Sequence, residues 1–474
     1  MDPINELIKH ITRTRYGDLP HEAVEAAKKS VVDVIGAGIA GSSMPLGKMV
    51  ATMVKDYDGK KQSSLLVYGG KVPQQEATFA NVIMARVPEL DDVHEGNKRR
   101  GGGIGGHSSV GIVPASLAMA EASPTPITGK RLILGIAVGV DLLLRIRLAG
   151  GQSSNIGWMA TTVYPFGVVA SAAKLFDLSE EVIANAMGAA YVHCVGNNLS
   201  TVDGTWDAWL CDGASARGGV VAVDLARRGH LGAKSPLLGN AGLYPLYFRN
   251  EYHEDILLSG LGKEFESANV SIKPYSCCKC AHHAIYTTLE LVKKHQIKAE
   301  RIESIRVRTC DYNMGIVVLD EKGQHKYAPQ TVSGAQFSLP FLLALAIIKG
   351  AVSPDVLTEE TLHDASILSL CRKVVAEATP EKNEITKNEG FPSADVEICT
   401  VDGKVYSGCE PIVKGHPDNP LTFSECAEKF RRCARLSAKP LSDKSIDKFL
   451  SQAEKLEEIS DVRNMIGNLT YSLK

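Results

Sequence analysis

Apolar residues recur at helical spacing through most of the first 260 positions of the chain, and strand-like alternation is almost absent there. Short segments rich in Gly, Pro and Ser separate the periodic stretches, and many of the apolar residues are Ala, which permits close helix packing. The predicted helices cover residues 23–37, 77–87, 114–122, 132–149, 162–175, 179–196 and 214–228. The pattern therefore predicts a large all-helical domain over residues 1–268.

The pattern changes after Phe265, where extended segments begin to appear. Segments 270–274 and 302–309 favour strands, and segments 394–400 and 404–407 flank an Asp-Gly turn signal at Asp402 and Gly403. Helices are predicted between the strands, at 281–294 and 336–349. Residues 269–409 are thus predicted to form a smaller α+β domain.

The last part of the chain, residues 410–474, returns to a helical and charged pattern. Thr422 and Glu425 have the spacing of a capping box, with Ser424 as the alternative cap. This segment is expected to rejoin the first domain, which would make that domain discontinuous. The predicted fold class is mainly α.

Composition narrows the function classes. The 474 residues are 44% hydrophobic and carry a formal net charge of −2, so neither a nucleic-acid surface nor an acidic tail is indicated. The apolar run 132–144 is short of the roughly 20 residues of a membrane span and contains Asp141, which favours a buried helix. The absence of a secretion-signal pattern and the odd number of cysteines, 11, favour reduced thiols and a cytoplasmic location without a membrane partner.

Segment 89–109 combines acids, imidazoles, cations and glycines in one loop. Carboxylates and histidines exchange protons near neutral pH, and glycines let backbone N–H groups approach a ligand. His94, Lys98, Arg99 and Arg100 are candidate substrate-binding residues, because cations hold carboxylate groups. The composition predicts an active-site loop for an acidic substrate, and a solvated hairpin or surface loop is the alternative.

Segment 273–283 lies between a predicted strand and a predicted helix. Lys273 supplies a cation at the strand end, and His282 is expected to point from the first helical turn into the same cleft. A core-facing cysteine run with a capping histidine explains the segment equally well. A zinc site at Cys277 and Cys280 is disfavoured because no second ligand pair of suitable spacing exists, so no metal is predicted.

Two further segments offer polar groups for an anion. Thr161 and Tyr164 lie near a predicted helix N-terminus, which favours anions, although ordinary capping also explains the threonine. Arg217 has the chemistry to clamp a carboxylate bidentately, with a helix-surface ion pair as the alternative. Motifs for a phosphate loop, a nucleophile elbow and a zinc protease are absent from the sequence.

The motifs, taken in order, resemble those of the MmgE/PrpD family, and the resemblance spans nearly the whole chain. It rests on Glu-Leu-Asp-Asp at 89–92 with His-Ser-Ser at 107–109, Val-Pro-Ala at 113–115, 128–145, Gly-Ala-Ser-Ala-Arg-Gly-Gly at 213–219, Lys-Pro-Tyr at 273–275, Gln-Phe-Ser-Leu-Pro at 336–340 and 415–422. The family includes 2-methylcitrate dehydratase, cis-aconitate decarboxylase and iminodisuccinate epimerase. The resemblance implies a large helical domain, an α+β lid domain, an active-site cleft between them, a homodimer and no metal or organic cofactor.

The resemblance also implies proton transfer next to a carboxylate of a small polycarboxylate substrate. By position, Asp91 or Asp92 and His107 would be the acid and base groups, and Lys273 would neutralise a carboxylate or enolate. A carbanion next to a carboxylate is strongly disfavoured in water, so a nearby cation and a base tuned toward neutral pH are required. An epimerase would need a second group facing His107, for which Lys273 or Tyr164 is the candidate.

Three departures from the family pattern bear on the reaction. Decarboxylase and dehydratase members resemble one another in carrying a His where this chain has Met159 and a Lys where it has Ala208. Extra residues within 97–106 separate the acids from His107. The leading hypothesis is a dehydratase-type lyase of a di- or tricarboxylate, with an epimerase, a decarboxylase and a catalytically silent carboxylate-binding relative as alternatives.

Overall fold

A computed structural model describes residues 2–96, 105–151, 157–199, 204–320, 322–391 and 393–470 of the chain. The three cations predicted to bind substrate, Lys98, Arg99 and Arg100, lie outside these ranges.

Helices dominate the first part of the chain, as the apolar periodicity predicts. Their bounds are Ile4–Arg13, His21–Gly41, Pro45–Asp56, Gln74–Arg86, Ile112–Ala122, Gly129–Ala149, Tyr164–Phe176, Glu180–Val192, Asp207–Arg227, Leu243–Tyr247 and Glu254–Leu258. Glycines permit a close crossing between the helices Gly129–Ala149 and Tyr164–Phe176. A Cβ on Gly139 or on Gly167 would lie 2.8 Å from the carbonyl oxygen of the other residue. The two helix backbones are therefore in contact at Gly139 and Gly167, which have no side chains.

A four-stranded mixed sheet forms in the second part of the chain. Its strand order is Val374–Ala378, Ile302–Thr309, Asp395–Thr400 and Val405–Cys409, with the first pair parallel and the others antiparallel. The predicted Asp-Gly hairpin is confirmed, whereas the parallel edge strand was not predicted. The strand predicted at 270–274 is wrong, because only Ser271 forms a bridge there, to Val93.

The remaining helices of the second part of the chain lie before, between and after these strands in sequence. Their bounds are His282–His295, Asp311–Asn313, Val332–Gln336, Leu339–Lys349, Glu359–Leu362, Ala365–Cys371, Pro380–Glu389, Phe423–Arg435 and Asp443–Glu454. Two short paired strands, Ser63–Ser64 and Lys71–Val72, lie apart from the main sheet. A mainly helical fold is confirmed.

The C-terminal helices pack on the N-terminal ones. Phe430 lies against Gly36 of the helix His21–Gly41, with a ring carbon 3.1 Å from where a Cβ would stand. The predicted capping box is confirmed, since Thr422 and Glu425 bond reciprocally at the start of Phe423–Arg435. One apolar core joins residues 4–272 with 421–469, and another lies within 277–398. The domain limits at 268 and 409 remain predictions.

No single helix among the described residues is long and apolar enough to cross a membrane. The helices His21–Gly41 and Pro45–Asp56 satisfy that criterion only together, and they are bent by 91° relative to each other.

Candidate active site

A short β-hairpin brings the ends of the acidic loop together. Val93 pairs with His107 and His94 with Gly106, so the imidazole of His107 returns to the acids that precede the hairpin. The backbone of Val93 also exchanges two hydrogen bonds with Ser271, at 2.9 and 2.8 Å. This bridge fixes the chain just before Lys273 next to the loop.

Arg86 organises the carboxylates of the site from the end of the helix Gln74–Arg86. Its Nη1 donates to Glu89 Oε2 at 2.8 Å and to Asp91 Oδ1 at 2.9 Å, and its Nε donates to Asp212. Glu89 has a φ of 52°, a left-handed conformation that is costly for a residue with a side chain. The backbone bend at Glu89 lets two acids that are close in sequence reach one guanidinium.

His107 lies between two carboxylates. Its Nδ1 donates to Asp91 Oδ2 at 2.7 Å, and its Nε2 lies 3.2 Å from Glu89 Oε1. Burial and Arg86 oppose the protonated ring, but Asp91 and Glu89 outweigh them, and the pKa of His107 is raised above its usual 6.5. Since both ring nitrogens face carboxylates, the site favours the protonated, cationic form of the imidazole.

Lys273 reaches the same cluster from the second part of the chain. Its Nζ donates to Glu89 Oε1 at 2.8 Å, and the side chain is fully buried. Burial raises the pKa of the Glu89 carboxyl, but Arg86, Lys273 and His107 overcome this effect and hold that pKa well below 4.5. Three basic and three acidic side chains thus form one buried cluster: Arg86, His107 and Lys273 with Glu89, Asp91 and Asp212.

Asp92, the second acid of the predicted pair, faces away from this cluster. Its carboxylate accepts a hydrogen bond from the backbone N–H of Ser109 at 2.9 Å and another from the Ser30 hydroxyl at 3.3 Å. Burial, followed by the charge of Asp33, raises the pKa of Asp92 to about 7. Asp33 is in turn paired with Lys429, whose Nζ also donates to the Leu90 carbonyl at 2.7 Å.

A cavity of about 360 Å³ opens beside the charged cluster. Arg86, Glu89, His107, Thr161, Arg147 and Lys279 provide polar groups to its wall, and Trp158, Met159, Ala160, Ala208, Ile316, Phe337 and Phe391 provide apolar ones. Two larger clefts, of about 660 and 690 Å³, contain none of the six cluster residues in their walls. The smaller cavity is therefore the candidate active site, on the basis of its chemistry rather than its size.

Two of the three departures noted in the sequence, Met159 and Ala208, fall on this wall. Met159 and Ala208 line the cavity and supply no charge and no hydrogen-bond donor there. The side of the cavity that they form, together with Trp158 and Ala160, is largely apolar.

Among the predicted substrate-binding residues, Thr161 lines the cavity, and its hydroxyl donates to Asp212. Arg217 pairs instead with Glu76, with its side chain 46% exposed, which is the ion-pair alternative. His94 is fully buried, and its Nε2 lies 3.3 Å from Glu266 Oε2.

Tyr164 and His282 are fully buried and lie outside the cavity lining. The Tyr164 ring packs against Gly111, where a Cβ would lie 2.5 Å from the ring. His282 Nε2 lies 3.2 Å from the Cys277 carbonyl, and the ring meets Tyr275 edge-on. Burial and Lys279 lower the pKa of His282 well below 6.5, so the ring is neutral. Lys273 also stands behind Glu89 rather than on the cavity wall.

In the part of the chain that the structure describes, no group of three or more His, Cys, Asp or Glu side chains is arranged to hold a metal ion. Cys277 and Cys280 are both buried free thiols. Burial raises the pKa of each thiol well above 9.0, which disfavours the thiolate that zinc binds.

Sequence reasoning missed Arg86, Arg147, Lys279 and the role of Asp212. Arg147 stands in the strongly apolar helix Gly129–Ala149, where a charged residue must find a buried partner or a ligand. That signal was available for Arg147, whereas Arg86 ends the helix Gln74–Arg86, which has mixed polarity and gives no such signal. Burial lowers the pKa of Arg147 to about 10, which still leaves the guanidinium charged at neutral pH.

Comparison with known proteins identifies the family of the chain. The chain is 23% identical to the cis-aconitate decarboxylase-like protein oryM of Aspergillus oryzae over 484 aligned positions, covering 99% of this chain and 97% of the relative. It is 24% identical to the cis-aconitate decarboxylase of Aspergillus terreus, with 95% and 93% covered, and 23% identical to the Homo sapiens enzyme of that name, with 94% and 90% covered. Residues 5–255 match the MmgE/PrpD N-terminal domain and residues 275–453 the MmgE/PrpD C-terminal domain. The chain belongs to the MmgE/PrpD family.

Proposed function

We propose that the protein is a lyase that decarboxylates a small unsaturated tri- or dicarboxylate in the cavity beside His107. The observation that carries the proposal is the position of His107, which lies on the cavity wall with Asp91 and Glu89 at its two ring nitrogens. Membership of a family in which three relatives are named as cis-aconitate decarboxylases or decarboxylase-like supports the substrate class.

The protonation state of His107 favours decarboxylation over dehydration. Dehydration begins with a base that removes a proton next to a carboxylate, and the two carboxylates beside His107 raise its pKa, which favours the protonated ring over the free base. Decarboxylation needs no base: the bond to the carboxylate carbon breaks, carbon dioxide leaves, and the electron pair stays on the substrate, conjugated with its double bond. His107 then donates its proton to that carbanion. The reaction thus uses the imidazolium that the site stabilises.

Three side chains around His107 support this role. Asp91 orients the ring and stabilises its charge, as a carboxylate does behind a catalytic histidine. Glu89 lies beside the second nitrogen, and Arg86 fixes both carboxylates. His107 is 17% exposed, whereas Glu89 and Asp91 are almost completely buried, and its Nε2 has the longer of the two contacts, so Nε2 is the nitrogen that would turn from Glu89 to the substrate and deliver the proton.

The epimerase hypothesis receives less support. It needs a second acid or base group on the opposite side of the substrate, and the sequence offered Lys273 or Tyr164. Neither is part of the cavity wall, and Lys273 is engaged by Glu89. The alternative of a catalytically silent relative is based on Met159 and Ala208, which replace the expected His and Lys. An assay of turnover distinguishes it from an active enzyme.

The proposal is tested by incubating the purified protein in deuterated water with a panel of small di- and tricarboxylates that begins with cis-aconitate. Loss of carbon dioxide with one deuterium incorporated at carbon is the expected result. Loss or gain of water would indicate a dehydratase, and deuterium incorporation at a stereocentre without loss of mass would indicate an epimerase. Binding without turnover of any member would identify a silent relative.

The role of His107 is tested on the substrate that the panel identifies. We expect His107→Asn to lower kcat about 10²- to 10⁴-fold, the usual contribution of general acid catalysis. His230→Asn is the control, because His230 is exposed and outside the cavity lining, and its turnover is expected to match the wild type. Full turnover by His107→Asn would contradict the mechanism.

A further inference from the structure

Arg147 is a buried cation in the last turn of the helix Gly129–Ala149, on the wall of the candidate active site. It is 5% exposed, and neither its Nε nor its Nη1 has a hydrogen-bond partner. A buried charge normally requires both a partner and hydrogen bonds to offset the cost of desolvation. The vacant donors of Arg147 therefore require an explanation.

The other buried arginines of the described chain show how such a group is usually satisfied. Arg145, two residues earlier on the same helix, donates to both carboxylate oxygens of Asp141 and to backbone carbonyls, including that of Ser259. Arg86 is bonded to three carboxylates. Arg147 differs from both arginines because its Nε and Nη1 donate to no carboxylate while it lines a cavity.

The charge distribution around the cavity points to the missing partner. His107 and Arg86 already have carboxylates within the buried cluster. Lys279, the other lysine or arginine on the described wall, has its Nζ 2.8 Å from Glu95 Oε1. An anionic ligand that enters the cavity meets one guanidinium with vacant donors, and a carboxylate matches its planar geometry.

We propose that Arg147 binds a carboxylate of the substrate and thereby selects anionic over uncharged ligands. The inference rests on the proposed function, because it assumes that polycarboxylates enter this cavity. It adds the group that anchors the substrate, whereas His107 serves the reacting carbon. Arg147 makes this contact in the ground state as well as in the transition state, so its loss raises KM more than it lowers kcat.

The same geometry implies a cost to stability in the absence of ligand. Replacement of an uncompensated buried cation by an apolar side chain of similar length removes its desolvation penalty. Arg147→Met is therefore expected to unfold at the same temperature as the wild type or above it, while binding the ligand more weakly. A gain in stability that accompanies a loss of binding is typical of a group retained for function.

The test measures binding of two probes that cannot be decarboxylated by this route, tricarballylate with three carboxylates and its uncharged triamide. We expect Arg147→Met to weaken tricarballylate binding about 10- to 100-fold, the effect of losing a hydrogen bond to a charged group, and to leave binding of the triamide nearly unchanged. Arg147→Lys, which keeps the charge without the planar fork, is expected to fall between. Arg131→Met is the matched control from the same helix, since Arg131 is 41% exposed and pairs with Asp177.

Each other outcome overturns the inference. If Arg147→Met binds tricarballylate as the wild type does, Arg147 holds no carboxylate, and the proposed function stands. If both probes lose affinity equally, or Arg147→Met melts well below the wild type, Arg147 has a general structural role. If the wild-type protein binds no polycarboxylate, the proposed function fails, and this inference fails with it.

Discussion

Replacement of Arg86 by methionine removes the cation that joins three buried carboxylates. The Arg86 side chain is 2% exposed, and it contacts Glu89, Asp91 and Asp212. Methionine retains much of the buried length without the charge. After the change Glu89 and Asp91 keep His107, whereas Asp212 keeps the Thr161 hydroxyl.

The expected loss in the free energy of unfolding is about 3–5 kcal/mol at pH 7, because removal of one partner leaves buried charge uncompensated. In the wild type the pKa values of Glu89 and Asp91 are lowered. Their stabilisation is therefore complete above the ordinary pKa values of 4.5 and 3.8, and it is lost only as the pH falls through the lowered values. Without Arg86 the carboxylates bind protons at higher pH, so the difference between variant and wild type shrinks as the pH falls from 7.

Urea unfolding followed by circular dichroism at several pH values measures this difference. Midpoints are compared rather than extrapolated free energies, because a chain of this size need not unfold in one step. Arg228→Met is the control: its exposed pair with Asp224 is worth about 0.5 kcal/mol or less. The reasoning is refuted if Arg86→Met is as stable as this control, or if its deficit grows as the pH falls.

Two further predictions concern His107 and the glycine before it. Because the pKa of His107 is raised, the ring is protonated below that pKa, and kcat should stay constant at lower pH and fall as the pH rises through the raised pKa. Asp91→Asn should move this fall to lower pH. A pH–rate profile that this variant leaves unchanged would exclude His107 as the acid. Gly106 has a φ of 72°, and a Cβ there would lie 2.5 Å from the Ala160 Cβ. Backbone strain in Gly106→Ala should therefore lower the free energy of unfolding by about 1–2 kcal/mol, and the contact with Ala160 should lower it further. The variant should also have a lower kcat. Gly403→Ala, with a φ of 77° and open space around it, controls for the strain alone and should keep wild-type kcat; equal turnover by both variants would show that the hairpin tolerates the change.

Local patterns were sufficient to predict many of the helices and the late hairpin, although the helices Ile4–Arg13 and Pro45–Asp56 were not predicted. Periodicity placed the helix 132–149 within three residues of its observed start, and the Asp-Gly signal at Asp402 and Gly403 located a real turn. The edge strand Val374–Ala378 escaped prediction because its neighbour in the sheet, Ile302–Thr309, lies some 70 residues away in sequence. The extended segment near Ser271 is held by one bridge to the loop, which local propensity cannot reveal.

The candidate site was predictable in part for the same reason. The acids and His107 lie in one loop, so composition alone drew attention to them. Their partners come from far away: Asp212 is 126 residues from Arg86, and Lys273 is 184 residues from Glu89. Which of two adjacent acids meets the imidazole depends on a backbone bend and a hairpin register, and the structure gives that position to Asp91 rather than Asp92.

The link from Lys429 to the acidic loop bears on how the enzyme matures during synthesis. Lys429 neutralises Asp33 and holds the Leu90 carbonyl, yet it follows Leu90 by 339 residues. At about 5–20 residues per second a ribosome needs roughly 20 to 70 seconds to cover that interval. During that time Lys429 has not been synthesised, so the helices that emerge first lack its contacts with Asp33 and with the Leu90 carbonyl. A chain cut before Lys429 would keep every residue assigned to proton transfer and lack the two contacts that hold Asp33 and the Leu90 carbonyl next to them.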